Sequence, residues 1–414
     1  MTMDGDVPTP RVGVLFDSIS ENTGDIAIGI AAVQEFARHG IDDVRIVDPF
    51  ASHADVDALL VGGGELIRPL GDPFYDRFRE PAAMVLNAVG VWEEAADLEY
   101  LADYAVVSAR SSVEAERLRR FLPEVQVLPC TTTTLESPRY QIEGVEPGET
   151  VVGIHVVPHT LSLVPDIVAI VDSIPHKKVF IPFTHYNFDD SFMSALPFDR
   201  TNAVQLPRLG PLELHSVLGQ MSYVVVSSLH ASIFAYSQHV PFASAHQEKV
   251  QNYFADRDLA HLVFGSGKEL RSTIDLIETG RVNLRRPVAA DRAAVHGAYA
   301  RFAALARERA SLGSGTSRHG NEPATSQASD LLTAQLSHVI YNRDATISNL
   351  MRRSLCAEAE AEKWHAEADR RAAQAAMWRE AHQRQSARLR QIERFIPKVV
   401  LRQLRRRASP IGPE

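Results

Sequence analysis

Two predicted turns that follow strands carry residues that could hold an anionic ligand. Asn22, Gly24 and Asp25 occupy the first turn, where glycine permits a tight bend and free backbone N–H groups face a ligand. Asn22 and Asp25 are also residue types that cap helices, so ligand binding and capping are both open here. Gly63 and Gly64 belong to a run of three glycines after a later strand. Such a run lets the backbone approach a substrate, but it also occurs in turns without any ligand.

Two further residues could neutralise or protonate such a ligand. Arg110 stands just past a predicted strand, at the edge where a cleft would open, although a lone arginine is more often solvated or ion-paired. Ser228 and His230 lie where the apolar run 223–226 turns into a helix, and the positive end of that helix favours anions. The imidazole of His230 would add a titratable proton donor.

The acidic and histidine pairs elsewhere favour structural roles over metal binding. Asp55 and Asp57 immediately precede a buried strand, which is typical of a turn that enters a strand. His155 and His159 lie in a strand-like run with a proline between them, so the ligand geometry of a helix face does not apply. Asp189 is most simply a helix start, with a role in the cleft as the alternative. No metal and no cofactor is expected.

Composition and charge limit the class of protein. The chain has 414 residues, 45% of them hydrophobic, so it can bury at least two cores. Residues 329–414 carry 16 Lys and Arg against 10 Asp and Glu, and the overall net charge of -9 therefore leaves -15 for the rest. This acidic body argues against nucleic acid as a partner.

Without a signal-peptide pattern or a membrane span of ~20 apolar residues, we expect a cytoplasmic protein. Cys130 and Cys356 are expected to be reduced thiols.

The elements that must position these residues follow an alternating pattern. Short runs rich in Val, Ile and Leu alternate with helical-period segments, as in βαβ units with a buried parallel sheet. A polar linker at 141–150 separates a Rossmann-like domain at 1–140 from a second one at 151–310, which includes a terminal helix. The sequence thus predicts an α/β fold of two Rossmann-like domains facing a cleft, with ligands beyond the carboxyl ends of the strands. The predicted strands are 11–16, 44–47, 58–61, 84–88, 104–107, 125–128, 151–157, 178–181, 203–205 and 223–226.

The C-terminal region has a different composition. Residues 311–329 are rich in Gly, Ser, Thr and Asn and predict a flexible linker, while 330–407 predict a helical basic tail. Within that tail, residues 379–407 hold 10 basic against 2 acidic side chains, with apolar residues at three- and four-residue intervals. A peripheral membrane contact and an oligomerisation or coiled-coil helix are both open for this segment.

In their order and spacing, these segments resemble the polysaccharide pyruvyl transferase family. Asn22–Ile28 is similar to its N-x-G-D-x-A-I turn, and Gly62–Gly64 to a glycine-rich loop after a strand. Arg110–Val113 corresponds to an arginine-led element after a strand. Leu229–Ala235 gives a late Leu-His-A-x-I-F-A signature, and Lys249 is the lysine that follows it. The resemblance spans roughly residues 11–280.

This resemblance implies a GT-B-like fold and transfer of pyruvate from phosphoenolpyruvate, as a ketal, to a sugar of a cell-surface polysaccharide or glycolipid precursor. It implies that Arg110 binds the donor's carboxylate or phosphate through its planar fork. It also implies that His230 contacts the phosphate and serves as the general acid. The other implied substrate-binding residues are Asn22, Gly24, Asp25, Gly63, Gly64, Ser228 and Lys249.

One departure from the family concerns the donor. Where the family often has Arg-Leu-His, this chain has Ser228-Leu229-His230. The lost charge-assisted contact, worth about 1.5–3 kcal/mol, weakens donor binding unless Lys249 or Arg208 replaces the cation. Two rival functions therefore stay open. One is a glycosyltransferase with a GT-B-like fold that uses a nucleotide sugar, and the other is a catalytically degenerate binding or scaffold protein.

Overall fold

The computed structural model describes residues 9–18, 22–49, 56–72, 74–185 and 189–312, together with Arg370. Asp55, Cys356, and the linker and tail predicted beyond residue 312 lie outside these ranges, apart from Arg370. The chain divides into two compact units, Met1–Gln335 and Leu336–Glu414, and the elements below belong to the first. Within the described ranges, no helix has the length and apolar character that a membrane crossing requires.

The first half of the chain forms a six-stranded parallel sheet. Its strands are β1 (Val12–Leu15), β2 (Val44–Val47), β3 (Ala58–Gly62), β4 (Val85–Val89), β5 (Val106–Ala109) and β6 (Gln126–Val127). The spatial order is β2-β1-β3-β4-β5-β6, so the direction of winding reverses between β1 and β3. The helices are α1 (Thr23–Arg38) and α2 (Ser112–Arg119), with 3-10 helices at Tyr75–Phe78, Glu99–Asp103 and Thr131–Thr134.

A second six-stranded parallel sheet follows. Its strands are β7 (Val151–Ile154), β8 (Lys177–Phe180), β9 (Ala203–Gln205), β10 (Tyr223–Val226), β11 (Phe242–Ala245) and β12 (Val263–Phe264). The order is β12-β11-β10-β7-β8-β9, which places the reversal between β7 and β10. The helices are α3 (Pro158–Leu163), α4 (Ile167–Ser173), α5 (Asp189–Ala195), α6 (Pro211–Leu218), α7 (Leu229–Ser237), α8 (Glu248–Ala255) and α9 (Gly267–Glu278), with a 3-10 helix at Ala260–Leu262.

These two parallel sheets confirm the predicted α/β fold class. Each predicted strand is present, with small shifts at the ends. The prediction for 151–157 is too long, because Pro158 begins α3 and the chain leaves the sheet after Ile154. β11 and β12 were not predicted. The first is the small-residue sequence FASA and the second spans two residues, so neither gives a clear apolar run.

The last described helix, α10 (Arg285–Ser311), joins the two domains. Val288 near its start packs in the core of the second domain. Farther along, Tyr299 and Phe302 lie in the apolar cluster that also contains Val12 of β1. The sequence assigned this helix to the domain 151–310. In the structure, most of the apolar face of α10 packs against residues of the first domain.

A buried hydrogen-bond network fixes this crossing. The Asn87 side-chain amide donates to the Tyr299 hydroxyl at 3.1 Å and to Thr131 Oγ1 at 3.0 Å. Tyr299 and Thr131 are themselves 3.2 Å apart. Tyr299 also meets Phe36 of α1 edge-on, with the ring centroids 5.1 Å apart.

We expect Tyr299→Phe to lower the free energy of unfolding by about 1–2 kcal/mol, since it keeps the ring and removes one partner of a buried network. Urea denaturation of the purified protein measures this change. Tyr100→Phe is the matched control, because the buried Tyr100 hydroxyl lacks a hydrogen-bond partner in the described part of the chain. Equal losses for the two variants would contradict a structural role for the network.

Candidate functional site

The first turns of α1 and α7 meet at the boundary between the two domains. Open α/β sheets bind ligands beyond the carboxyl ends of strands at the point where winding reverses, which here means β1/β3 and β7/β10. Gly24 in α1 lies directly against the ring of His230 in α7, and a Cβ at this position would overlap that ring. Glycine at position 24 therefore permits close approach of the two domains, whereas the sequence interpretation attributed it to a tight turn.

The Asn22 side chain caps α1 and holds Asp25. Its Oδ1 accepts from the Gly24 N–H at 3.2 Å, and its Nδ2 donates to Asp25 Oδ2 at 2.7 Å. Capping, one of the two roles considered for this turn, is thus present. It also orients the Asp25 carboxyl, which is buried apart from 8% of its surface.

The glycine run packs against this same turn. Gly63 and Gly64 have φ angles of 78° and 72°, in the left-handed region that favours glycine. A Cβ at Gly63 would overlap Ile28 of α1, and one at Gly64 would lie 2.8 Å from Asp25 Oδ1. The glycines therefore allow the backbone of the turn after β3 to pack against the Asp25 side chain.

Four alternating charges lie beside Asp25. The buried Arg110 guanidinium donates through Nε and Nη2 to Glu114, at 2.8–3.2 Å, and Nη2 also donates to Glu65 at 3.2 Å. The other oxygen of Glu65 accepts from Lys249 Nζ of the second domain, also at 3.2 Å. The fork that the resemblance assigned to a donor anion is therefore engaged by the chain's own carboxylates. We call these four residues the charged cluster.

The charged cluster gives Glu65 and Asp25 opposite protonation states. Burial on its own raises the pKa of Glu65, but Lys249 and Arg110 lower it to about 2. For Asp25, burial and then the Asp17 carboxylate raise the pKa to about 8, against the opposing effects of Lys249 and Arg110. At neutral pH, Glu65 is ionised and Asp25 is protonated. Neighbouring carboxyls whose pKa values are driven apart are typical of acid–base sites.

His230 is a neutral imidazole at neutral pH. It is only 8% exposed, and its Nε2 lies 3.7 Å from the Cys130 sulfur. Burial, followed by the charges of Arg110 and Lys249, lowers the pKa of His230 to about 3. An imidazole in this state can donate one N–H or accept a proton, and it does not carry the extra proton that the expected general acid would need.

A threonine-rich 3-10 helix packs against α7, the helix that carries His230. Thr131–Thr134 contacts α1, α7 and α10, and its four side chains are buried. Cys130 begins this segment, and its backbone N–H donates to the Tyr253 hydroxyl of α8 at 3.3 Å. The sequence predicted only a reduced thiol at Cys130, and the four consecutive threonines give no periodic signal that would indicate this helix.

The carboxyl ends of β7 and β10 are tied together by a second polar group. His155 Nε2 lies 3.0 Å from Asp189 Oδ2, which also accepts the backbone N–H groups of Phe183 and Thr184, both at 2.6 Å. Ser227 Oγ donates to the His155 carbonyl at 3.0 Å. Although burial opposes the shift, His155 and these N–H donors hold the pKa of Asp189 well below its usual range.

These contacts resolve the alternatives left open for the acidic and histidine pairs. Asp189 is a helix start, as predicted, and it also anchors β7. Asp57 directly precedes β3 and pairs with Arg11 at 2.9 Å. His159 Nε2 lies 2.8 Å from the His246 carbonyl oxygen. Among the described residues, no group of three His, Cys, Asp or Glu side chains is arranged to hold a metal ion.

The two cations proposed to replace the missing arginine differ in position. Ser228 is half-buried ahead of α7, and its carbonyl oxygen accepts from Ser232 Oγ at 2.9 Å. Arg208 pairs with Asp190 at 3.1 Å near the surface. Lys249, in contrast, belongs to the charged cluster and is one-third exposed. Lys249 is therefore the better placed of the two.

The structure brings most of the residues singled out from the sequence to one place. Glu65 and Glu114 were not predicted from the sequence. Each had a signal, because Glu65 directly follows the glycine run and Glu114 lies four residues after Arg110 at the start of a helix. The predicted residues that gather at the domain boundary are Asn22, Gly24, Asp25, Gly63, Gly64, Arg110, His230 and Lys249, and Ser228 borders them two residues before His230.

Comparison with known proteins gives one family match. A model of the polysaccharide pyruvyl transferase family matches residues 22–244, whereas no curated protein sequence matches the chain. Similar solved structures include a proposed UDP-N-acetylglucosamine 2-epimerase from Listeria monocytogenes, with 11% identity over 77% of this chain and 100% of that chain and a TM-score of 0.48. A UDP-glucosyltransferase from Polygonum tinctorium has 10% identity over 73% and 100%, with a TM-score of 0.40. A functionally uncharacterized protein from Klebsiella pneumoniae has 14% identity over 60% and 88%, with a TM-score of 0.38.

We expect the buried Asp25 carboxyl to make stability fall as pH rises. Its folded-state pKa of about 8 lies above the ordinary value of 3.8, so between these pH values the folded state binds the extra proton. Relative to Asp25→Asn, the wild type should lose about 1.4 kcal/mol per pH unit between pH 5 and 7. Glu65, whose pKa is lowered, acts in the opposite sense and only below about pH 4.5. Urea denaturation at several pH values measures this difference, and parallel curves would contradict the raised pKa.

Proposed function

Because this chain belongs to the polysaccharide pyruvyl transferase family, whose model matches residues 22–244 of its 414, we propose that it transfers pyruvate from phosphoenolpyruvate to a sugar. The product is a cyclic ketal on a cell-surface polysaccharide or glycolipid precursor. A cytoplasmic location is part of this proposal, since phosphoenolpyruvate is made there. The geometry that carries the proposal is the buried Asp25 carboxyl, held by Asn22 beside the charged cluster, where the pKa of Asp25 is raised to about 8 and that of Glu65 is lowered to about 2.

The reaction needs an acid, a base and cations. One sugar hydroxyl adds to C2 of phosphoenolpyruvate and gives up its proton, while C3 takes up a proton, which turns the CH2 group into the methyl group of the product. Of the two hydroxyl protons lost in the whole reaction, one balances the proton gained at C3 and the other leaves with phosphate. Phosphate then leaves C2 with its bonding electrons. A second hydroxyl of the same sugar attacks C2 and loses its proton, and this step closes the ketal ring. The products are the pyruvate ketal and inorganic phosphate.

Asp25 is the group suited to deliver the proton to C3. Its carboxyl is protonated at neutral pH, and a pKa of about 8 lies close to the working pH, where general acids are most effective. Asn22 holds one carboxyl oxygen, which fixes its direction. An approaching anionic donor would disfavour the ionised form further and keep the proton on Asp25 until transfer.

The remaining residues bind and position the donor in this proposal. Lys249 supplies the partly exposed cation for the donor's carboxylate or phosphate. His230 offers one N–H from a neutral ring at the positive end of α7. Arg110 acts through Glu65, which it holds in place beside Lys249.

A pH profile of transfer tests the role of Asp25. We expect kcat/KM for phosphoenolpyruvate to fall as pH rises through about 8, because the free enzyme loses the required proton above that value, and we expect kcat to fall only at higher pH, because the bound donor raises the pKa of Asp25. Asp25→Asn should reduce kcat by about 100-fold or more while the KM for phosphoenolpyruvate stays nearly unchanged. Pyruvate incorporation into lipid-linked glycans, followed by mass spectrometry, provides the rate. An Asp25→Asn enzyme with near wild-type kcat would assign the proton to another group.

Donor identity is tested separately by thermal shift with Lys249. Phosphoenolpyruvate at about 100 times its Kd should stabilise the protein by about 2.7 kcal/mol. Lys249→Gln should reduce this shift, whereas Lys268→Gln at an exposed position of α9 should leave it intact. A shift with UDP or GDP in place of phosphoenolpyruvate would instead identify the nucleotide-sugar glycosyltransferase. Absence of any shift in the folded protein would favour a degenerate binding or scaffold protein.

A further inference from the structure

A cavity of about 320 Å³ opens between the two domains beside the charged cluster. Its walls come from the segment after β4, from α2 and from α8, so both domains contribute. Glu65 and Lys249 line it, and these two side chains also act on the Asp25 carboxyl. The volume is at the lower end of the range of about 300–1,000 Å³ for small-molecule sites, which suits a ligand of one ring.

An exposed tryptophan forms part of the cavity wall. Trp92 is 41% exposed, which is unusual for so large an apolar side chain. The Arg68 guanidinium lies 4.8 Å from its ring centroid and is itself placed over Tyr75. The Trp92 backbone N–H donates to the Ile67 carbonyl at 2.9 Å, next to a parallel bridge between Ile67 and Val91. The ring is therefore held in place with much of its surface open to a ligand.

Carboxylates dominate the polar lining. The described residues that line the cavity include five glutamates and two cations. Glu93 and Glu248 are 68% and 69% exposed, although Arg120 lies 3.9 Å from the first and Arg117 pairs with the second at 2.5 Å. Ionised carboxylates only accept hydrogen bonds, so they match a ligand rich in hydroxyl donors. A phosphate or carboxylate would meet like charges here, which argues against an anionic donor in this cavity.

We propose that this cavity binds the acceptor as a single uncharged sugar ring, with its apolar face on Trp92 and its hydroxyls donated to the surrounding glutamates. The indole of Trp92 is a rigid and partly exposed aromatic surface, and such a surface packs well against the C–H face of a pyranose. The inference rests on the proposed transfer, because it divides the cleft between two substrates. The anionic donor lies on the side of Lys249 and His230, and the acceptor lies on the side of Trp92. Glu65 stands between them.

Direct binding of simple glycosides tests this assignment without any donor. Saturation-transfer NMR on the full chain, with the methyl glycosides of glucose, galactose and mannose as probes, should show binding for at least one neutral sugar. Trp92→Ala should raise the Kd of that glycoside about fivefold, which corresponds to about 1 kcal/mol. Trp92→Phe should restore most of the affinity. Leu70→Ala, at a residue that is 52% exposed and lies outside the cavity lining, is the control and should change nothing.

A charged probe tests the role of the carboxylates. Methyl glucuronide should bind more weakly than methyl glucoside to the wild type, and Glu94→Gln should narrow that difference. In the transfer assay, Trp92→Ala should raise the KM for acceptor and leave the KM for phosphoenolpyruvate unchanged.

The outcomes separate this inference from the proposed function. Glycoside binding that depends on Trp92, combined with no response to phosphoenolpyruvate, supports the sugar site and rejects the pyruvyl donor. Transfer from phosphoenolpyruvate with an acceptor KM unaffected by Trp92→Ala overturns the sugar site and retains the reaction. Glycoside binding that is equal in wild type and Trp92→Ala overturns the sugar site as well.

Discussion

The buried Arg110 guanidinium determines the electrostatics of the domain boundary. A cation removed from water must be paired, and Glu114 and Glu65 provide two carboxylates within hydrogen-bond distance. These give one negative charge in excess, which Lys249 of the second domain balances. Neutrality of the charged cluster therefore requires both domains, because three of its members come from the first domain and one from the second. The contact that balances the charge is the ion pair between Lys249 of α8 and Glu65, which directly follows the glycine run after β3.

The same balance accounts for the two neutral groups next to the charged cluster. Asp25 lies beside Asp17 and Glu65, so ionising it would add a further negative charge to a buried place, and its pKa rises. Protonating His230 would add a positive charge near Arg110 and Lys249, and its pKa falls. Burial acts in the same direction as these charges for both groups, because it penalises whichever form is ionised. An acid and a neutral imidazole thus lie close together at neutral pH without any additional counter-ion.

Local sequence signals predicted the elements well and the electrostatics poorly. The buried parallel strands are continuous apolar runs, so β1, β7 and β10 could be identified from their composition. The caps were also readable, because Asn22 bonds within its own turn. The pKa values of Asp25 and His230 depend on burial and on charges such as Arg110 and Glu65, which are distant from both groups in the chain. The path of α10 was unpredictable for the same reason, since its apolar face matches either domain.

The proposed function offers a physical reason for serine, rather than arginine, at position 228. The family often places arginine there, yet in this chain the charged cluster is already neutral, so a fixed arginine would leave an unpaired cation next to His230. A donor that brings a carboxylate and a phosphate reverses this balance, because it adds negative charge beside Asp25, which is already protonated at neutral pH, and beside the neutral imidazole of His230, which can take up a proton. Its charge opposes ionisation of Asp25 and favours protonation of His230, so the pKa values of both groups rise when it binds. Proton uptake on binding can then supply the charge that arginine supplies elsewhere in the family. By linkage, donor affinity in this chain must weaken as pH rises, whereas an arginine at position 228 would make it far less dependent on pH.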